Sequence, residues 1–169
     1  HYILEFDKGD VIKCGNESFT CPKSNRFIAT YDPLNFKLHI DKTFIERLSA
    51  KDIHYEYIIL SGYQMLQEKI DDTLNGKDRI DDSLLTIEQL KLNNSDCIVH
   101  FEVASTQDKI IRKYLIDKIA SKVDSIGFNE RELIDILEVI GENELAEECN
   151  KNTNSVNLFK GMLKVYEYT

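Results

Sequence analysis

The sequence predicts an α/β protein in which helices cover a parallel sheet, with a small β-rich segment at the N-terminus. Residues 1–40 contain short runs of aromatic and β-branched residues separated by turn signals, which is typical of antiparallel strands. From residue 41 onward, apolar strands alternate with longer amphipathic stretches, which indicates parallel strands joined by helices. With 169 residues, of which 42% are hydrophobic, the chain is long enough to bury a substantial core.

The N-terminal segment is predicted to form a small antiparallel sheet. Its strands are expected in the runs HYILEF, ESFTC, RFIAT and FKLHI, at residues 1–6, 17–21, 26–30 and 36–40. Turn signals such as Lys8-Gly9-Asp10 and Asp32-Pro33 separate these runs, because Gly, Asp and Pro favour the backbone angles of turns.

The remaining residues, 41–169, are predicted to alternate strands with helices. Apolar and β-branched runs predict strands at 55–60, 97–104 and 122–126. Apolar residues at helical spacing predict one or two helices within 64–92, and others at 107–119, 130–140, 142–150 and 154–167. We expect the polar stretch 74–82 to be a loop. We also expect Gly141 to end the helix predicted at 130–140.

Charge and composition narrow the classes of function. A net charge of −9 would repel nucleic acid and an anionic membrane surface, so neither is expected as a partner. No window reaches the roughly 20 apolar residues that cross a bilayer. The four cysteines lack the spacing of a metal site or a disulfide framework, which indicates reduced thiols and a cytoplasmic protein. Because His1 is not an initiator residue, we expect the chain to be part of a longer protein.

Six residues lie at or just beyond the carboxyl ends of the predicted parallel strands, where ligands bind in open α/β sheets. They are Ser61, Gly62, His100, Glu102, Asn129 and Glu132. Two carboxylates beside a helix N-terminus would suit a hydrated Mg²⁺ that bridges phosphate oxygens, which predicts phosphoryl transfer. The sequence contains neither the P-loop pattern nor the dinucleotide fingerprint G-x-G-x-x-G after a strand.

These residues also have purely structural interpretations. Asn129-x-x-Glu132 is first of all the pattern of a helix capping box. His100 and Glu102 are two residues apart in a buried strand, so they share one face and could form either an internal polar network or a site.

A second polar cluster, Lys23, Asn25 and Arg26, lies beside an apolar strand start. Such a run is usually a solvated edge. In an acidic chain it would also suit an anionic substrate.

Several segments resemble one family. HFEVAS is similar to the His-x-Glu motif, and GFNEREL to the Asn-x-x-Glu motif, of the archaeal ADP-dependent sugar kinases. These are the ADP-specific phosphofructokinases and glucokinases of the ribokinase-like superfamily. YILEF, PKSNRFIA and ILSGYQ resemble further segments of that family in the same order, so the resemblance covers essentially the whole chain.

The resemblance implies transfer of the terminal phosphoryl group of ADP to glucose or fructose 6-phosphate, giving AMP, with Mg²⁺ as cofactor. It implies that Glu132 and Asn129 order the magnesium ion and its waters. Glu102, with His100 beside it, would support the metal and the phosphates.

The resemblance also implies a Rossmann-like, ribokinase-like large domain with a small β lid. Residues 1–40 would be a lid segment and residues 41–169 the central part of the large domain. Arg26, Asn25 and Lys23 would bind the sugar or its phosphate. The family's Gly-x-Gly-Asp element, which carries the catalytic base, occurs nowhere in the sequence, so the chain is expected not to turn over alone.

Two alternatives remain open at this level. A noncatalytic acidic α/β binding module would use Asn129 and Glu132 only as a cap, and would pair Glu102 internally. An ATP-dependent sugar kinase of the same superfamily would differ in its phosphoryl donor. The choice of sugar and the oligomeric state are not determined by the sequence.

Overall fold

A computed structural model describes residues 2–169 and divides the chain into two compact units, His1–Pro33 and Leu34–Thr169. The division falls a few residues before the boundary predicted at residue 40. The strand predicted at 36–40 is wrong, because helix α1 (Pro33–Phe36) and a turn occupy that part of the chain. Pro33 at the first helical position favours this start, since its missing N–H and fixed φ suit the first turn.

The first unit contains two antiparallel strand pairs. Strand β1 (Tyr2–Phe6) pairs with β4 (Asn25–Ala29), and β2 (Val11–Cys14) pairs with β3 (Glu17–Thr20). The strands predicted at 1–6, 17–21 and 26–30 are therefore found. Strand β2 was not predicted, because its four residues, VIKC, carry too short an apolar alternation to separate them from the flanking turns.

The second unit has the α/β fold predicted from the sequence. Its strands β5 (Tyr57–Leu60), β6 (Ile98–Glu102) and β7 (Ser125–Gly127) form a parallel sheet in the order β5-β6-β7. Its helices are α2 (Lys42–Leu48), α3 (Gly76–Asn93), α4 (Lys109–Lys118), α5 (Glu130–Ile140), α6 (Asn143–Lys151) and α7 (Ser155–Tyr168).

The loop predicted at 74–82 is wrong, because helix α3 begins at Gly76. The Asn75 side chain accepts a hydrogen bond from the Asp78 N–H and caps the helix. Ile80 in this stretch is completely buried, whereas Asp78 and Asp82 are exposed. Residues 76–82, the first turns of α3, therefore contain one apolar residue among polar ones, and such a sequence is typical of a loop.

The core lies around the central strand β6. Val99 and Phe101 are completely buried, and helices α3, α4 and α5 contribute Ile80, Ile111, Ile136 and others to the same cluster. Helix α3 packs on α4, α4 packs on α5, and α5 packs on α6 and α7. Strand β6 is buried and paired on both sides, so the backbone at its carboxyl end has a fixed position.

Within residues 2–169, no helix combines the length and the apolar character needed to cross a membrane. The four cysteines are free thiols, as expected from their irregular spacing. Burial raises the pKa of the Cys97 and Cys149 thiols, so these two are poorly reactive.

The contacts of Asp108, at the start of α4, should make the stability of the protein depend on pH. Its carboxylate accepts hydrogen bonds from the Ile110, Ile111 and Glu68 N–H groups, at 2.9, 3.2 and 2.8 Å. Burial acts to raise the pKa of Asp108, but these backbone donors outweigh it, and the pKa lies below the ordinary value. The carboxylate therefore stabilises the folded state above the unfolded pKa of about 3.9, and this stability is lost as the pH falls through the folded pKa.

We expect Asp108→Asn to lower the free energy of unfolding at pH 7 by about 1 kcal/mol, because the amide oxygen keeps the cap bonds but the amide NH2 group replaces the oxygen that accepts from the Glu68 N–H. The variant should also show a weaker loss of stability on acidification than the wild type. Urea denaturation of the full-length natural protein across the acid range measures both effects. Asp72→Asn, at a highly exposed aspartate, is the control. An Asp108→Asn variant with the wild-type pH dependence would contradict the assigned role.

Candidate functional site

The parallel sheet brings the predicted site residues of the second unit to one edge. In the register of β6 and β7, His100 lies opposite Ser125 and Glu102 opposite Gly127. Helix α5 begins at Glu130, shortly after β7 ends. Because both strands run in the same direction, Glu102 and the start of α5 lie at the carboxyl end of the sheet, where α/β proteins bind ligands.

His100 and Glu102 contact each other on one face of β6. The distance from His100 Nε2 to Glu102 Oε2 is 3.1 Å, and His100 Nδ1 lies 2.7 Å from Ser125 Oγ on the neighbouring strand. The His100 side chain is 22% exposed and the Glu102 side chain 53%. The histidine is thus held between two partners, while the carboxylate still reaches solvent.

Gly127 allows this pair to lie against β7. A Cβ atom at residue 127 would come within 2.2 Å of Glu102 Oε2 and 2.9 Å of His100 Nε2. Both distances are shorter than normal van der Waals contacts, so a side chain at this position would displace the carboxylate. The absence of a side chain at Gly127 therefore sets where Glu102 can lie.

Asn129 and Glu132 form a capping box at the start of α5. Asn129 Oδ1 accepts from the Glu132 N–H at 2.9 Å, and Glu132 Oε2 accepts from the Asn129 N–H at 3.0 Å. The second carboxylate oxygen, Glu132 Oε1, accepts from the Ser105 hydroxyl at 3.0 Å. Glu132 is only 7% exposed. The Ser105 bond joins the loop after β6 to the helix after β7.

A buried ion pair supports the loop that carries Ser105. Arg112 Nε and Nη2 donate to the Thr106 carbonyl at 3.1 and 2.7 Å, and Arg112 Nη2 lies 3.4 Å from Asp135 Oδ2. Arg112 and Asp135 are 7% and 8% exposed. The guanidinium group therefore links α4 and α5 to the backbone directly behind the site.

The cationic cluster predicted at Lys23, Asn25 and Arg26 lies in the first unit, on its exposed surface. Asn25 Oδ1 accepts from the Arg26 N–H at 2.9 Å, and Arg26 Nη1 lies 3.6 Å from Glu5 Oε1 across the β1–β4 pair. These are the contacts of a solvated sheet edge. A role in substrate binding remains a prediction.

Glu102 and Glu132 carry the oxygen ligands that the Mg²⁺ implied by the resemblance would prefer. Among residues 2–169, no group of three or more His, Cys, Asp or Glu side chains could enclose a metal ion. Glu102 is half-exposed, and each Glu132 oxygen has one donor, which leaves a second lone pair on each. This donor set fits a Mg²⁺ that keeps most of its waters, and does not fit a closed protein cage.

A cavity of ≈ 350 Å³ adjoins the start of α5. It is lined by Phe128, Asn129, Glu130, Leu133, Leu158 and Met162. Its lining is mostly apolar and includes neither Glu102 nor Glu132. The cavity is therefore a poor seat for a hydrated cation.

The sequence pattern alone assigns no role to Ser105, Ser125, Gly127, Arg112 or Asp135. Each acts through a contact with another element, which the linear pattern does not show. Arg112 gives a weak signal, since it follows directly on an apolar helix position.

Similarity to solved ADP-dependent kinases assigns the parallel sheet and its covering helices to the ribokinase-like class of α/β proteins. A family model described as "ADP-specific Phosphofructokinase/Glucokinase conserved region" matches residues 1–169. The chain belongs to this family, as the sequence motifs predicted.

Individual relatives agree with this assignment. The chain is 32% identical to an ADP-specific phosphofructokinase of Methanosarcina acetivorans, over 98% of this chain and 34% of the relative. It is also 32% identical to an ADP-dependent glucose/glucosamine kinase of Pyrococcus abyssi, over 99% of this chain and 35% of the relative. The chain therefore spans about a third of the length of these curated relatives.

Solved structures show the same relationship. An ADP-dependent kinase in complex with fructose-6-phosphate and ADPbetaS superposes with a TM-score of 0.77 at 30% identity, over 98% of this chain and 36% of the other. The last common ancestor of ADP-dependent phosphofructokinases from Methanosarcinales gives a TM-score of 0.74 at 33% identity, with 98% and 34% covered.

Proposed function

We propose that the natural protein containing this chain transfers the terminal phosphoryl group of ADP to a hexose or hexose phosphate, glucose or fructose 6-phosphate, and releases AMP. Family membership supports this proposal, as do the names of the relatives. The Gly-x-Gly-Asp sequence is absent from the chain, so we assign the catalytic base to none of its residues and expect the chain alone to be inactive.

The observation that carries the proposal is that the carboxyl ends of β6 and β7 lie side by side. The β6–β7 register and the bond between Ser105 and Glu132 bring Glu102 and the capping box of α5 to the same edge of the sheet. The same contacts are also those of the noncatalytic alternative, in which Glu132 caps and Glu102 pairs internally. The kinase is favoured because the whole chain matches a kinase family, and because the Glu102 carboxylate remains half-exposed.

In this proposal Glu102, Glu132 and Asn129 hold a hydrated Mg²⁺, and His100 supports Glu102. The ion supplies positive charge that offsets the charge developing on the transferred phosphoryl group. The carboxylates orient its waters, and the free N–H groups at the start of α5 favour a phosphate nearby. Arg26, Asn25 and Lys23 are proposed to bind the sugar or its phosphate, with the Arg26 guanidinium able to form a bidentate contact.

A coupled assay of the full-length natural protein tests this function. ADP and ATP are each offered with glucose and with fructose 6-phosphate, in the presence of Mg²⁺ or of a chelator. We expect AMP to form from ADP with at least one sugar, and we expect the chelator to stop the reaction. Faster turnover with ATP would support the ATP-dependent alternative instead. No turnover with either nucleotide would support the binding module.

A further inference from the structure

We propose that Ser125 and Gly127 of β7 are positioning residues for the His100–Glu102 pair. Ser125 selects the protonation pattern of the imidazole ring, and Gly127 leaves the space in which the ring and the carboxylate meet. The effect of these two residues on metal binding rests on the proposed function. The hydrogen-bond pattern among Ser125, His100 and Glu102 is independent of that function.

The pattern follows from what each group can donate. An ionised carboxylate only accepts hydrogen bonds, so the His100 Nε2 atom, 3.1 Å from Glu102 Oε2, must carry a hydrogen to make that contact favourable. A neutral imidazole has one N–H, which leaves Nδ1 as an acceptor. When the ring is neutral, the Ser125 hydroxyl, 2.7 Å away, therefore donates to Nδ1. The chain of donors runs from Ser125 through His100 to Glu102.

The surrounding elements fix the ring in this orientation. The parallel register places Ser125 directly opposite His100, so the hydroxyl lies beside the ring without a change in the backbone. On the other neighbouring strand, the Tyr57 ring stacks beside His100 with centroids 6.5 Å apart and an interplanar angle of 29°. On the β7 side, Gly127 leaves space for the Glu102 carboxylate, since a Cβ atom at residue 127 would be 2.2 Å from Glu102 Oε2.

The hydrogen-bonded series Ser125–His100–Glu102, called the relay below, orients the Glu102 carboxylate. A half-exposed glutamate samples several rotamers, which costs free energy when it must order a metal-bound water. The Nε2–H bond to Oε2 holds one oxygen and leaves Oε1 for water. Ser125 and Gly127 thus act on the metal through His100 and Glu102, as outer partners of ligating groups do in other metal sites.

The first test is ¹⁵N NMR of the histidine ring in the full-length natural protein, recorded under alkaline conditions so that the neutral ring is observed. In the wild type we expect His100 Nε2 to be protonated and Nδ1 to be a hydrogen-bonded acceptor. In Ser125→Ala the Nδ1 signal should shift toward that of a free acceptor, and in Ser125→Thr it should stay near the wild-type position. A protonated Nδ1 in the wild type would overturn the proposal.

The second test is a Mn²⁺ binding isotherm with ADP present, which does not depend on turnover. Ser125→Ala should raise the half-saturating Mn²⁺ concentration by about 3- to 10-fold, a modest effect for an outer partner. Gly127→Ala should raise it by about 10-fold or more, because it displaces Glu102 directly. Ser125→Thr should restore most of the binding, and Ser121→Ala, at an exposed serine, should leave it unchanged.

The outcomes separate this inference from the proposed function. A Ser125→Ala variant with both the wild-type Nδ1 signal and the wild-type isotherm overturns the inference. A wild-type protein that shows the expected ring pattern but binds no Mn²⁺ with ADP contradicts the proposed function, and supports a relay that only stabilises the sheet edge.

Discussion

Replacing Glu132 with alanine is expected to lower kcat/KM for ADP-dependent phosphoryl transfer by about 100-fold or more, the upper range for residues that support a catalytic metal. Glu132 is the point where the two loops of the site meet, since its carboxylate accepts from the Asn129 N–H and from Ser105. The variant also loses the capping box, which should lower the free energy of unfolding by about 1 kcal/mol. Steady-state assays and urea denaturation of the full-length natural protein measure the two effects.

Glu132→Gln separates the metal role from the cap. Glutamine keeps an acceptor for the cap, so its stability should remain near that of the wild type, but it removes the negative charge that orders a hydrated cation. We expect this variant to lose activity as alanine does. Glu130→Gln removes the same charge from the same helical turn at an exposed position, and should leave activity unchanged. Full activity in Glu132→Gln would restrict Glu132 to helix capping.

Replacing Arg112 with alanine is expected to lower the free energy of unfolding by about 3–5 kcal/mol, the range for breaking a buried ion pair from one side. The substitution leaves the Asp135 carboxylate, 8% exposed, without its buried partner. It also removes both donors to the Thr106 carbonyl. Urea denaturation monitored by circular dichroism measures the loss.

Arg131→Ala is the matched control for this effect. Arg131 lies 3.1 Å from the other oxygen of Asp135, but its side chain is 64% exposed, so its removal should cost less than about 1 kcal/mol. The double variant Arg112→Leu with Asp135→Leu should recover part of the stability, because it leaves no unpaired buried charge. If Arg112→Ala and Arg131→Ala had equal effects, the guanidinium group of Arg112 would not be the support of the loop.

The second unit was predictable because its elements carry long, consistent patterns. The helix predicted at 130–140 is found at Glu130–Ile140, and the predicted end at Gly141 is the left-handed C-cap. Errors fell where the pattern was short or mixed. Residues 36–40 alternate apolar and polar side chains, but over only five positions. Residues 74–82 are mostly polar, and a local cap at Asn75 starts the helix there.

The candidate site was predictable in its motifs and not in its partners. His100, Glu102, Asn129 and Glu132 stand out because they are polar residues at the ends of apolar strands. The residues that hold them, Ser105 and Ser125, are set by the strand register and by loop contacts, which depend on the folded structure. Composition gives no reason to prefer these serines over others in the chain.

The most direct measurement is anomalous diffraction from crystals of the full-length natural protein grown with Mn²⁺ and ADP. Manganese replaces magnesium in oxygen-ligand sites and can be located by its anomalous signal. Binding through water predicts a peak about 4–5 Å from the carboxylate oxygens of Glu102 and Glu132, since a metal–water bond and a hydrogen bond add to this length. A manganese ion bound with ADP but remote from both carboxylates would contradict the metal site proposed at this edge of the sheet.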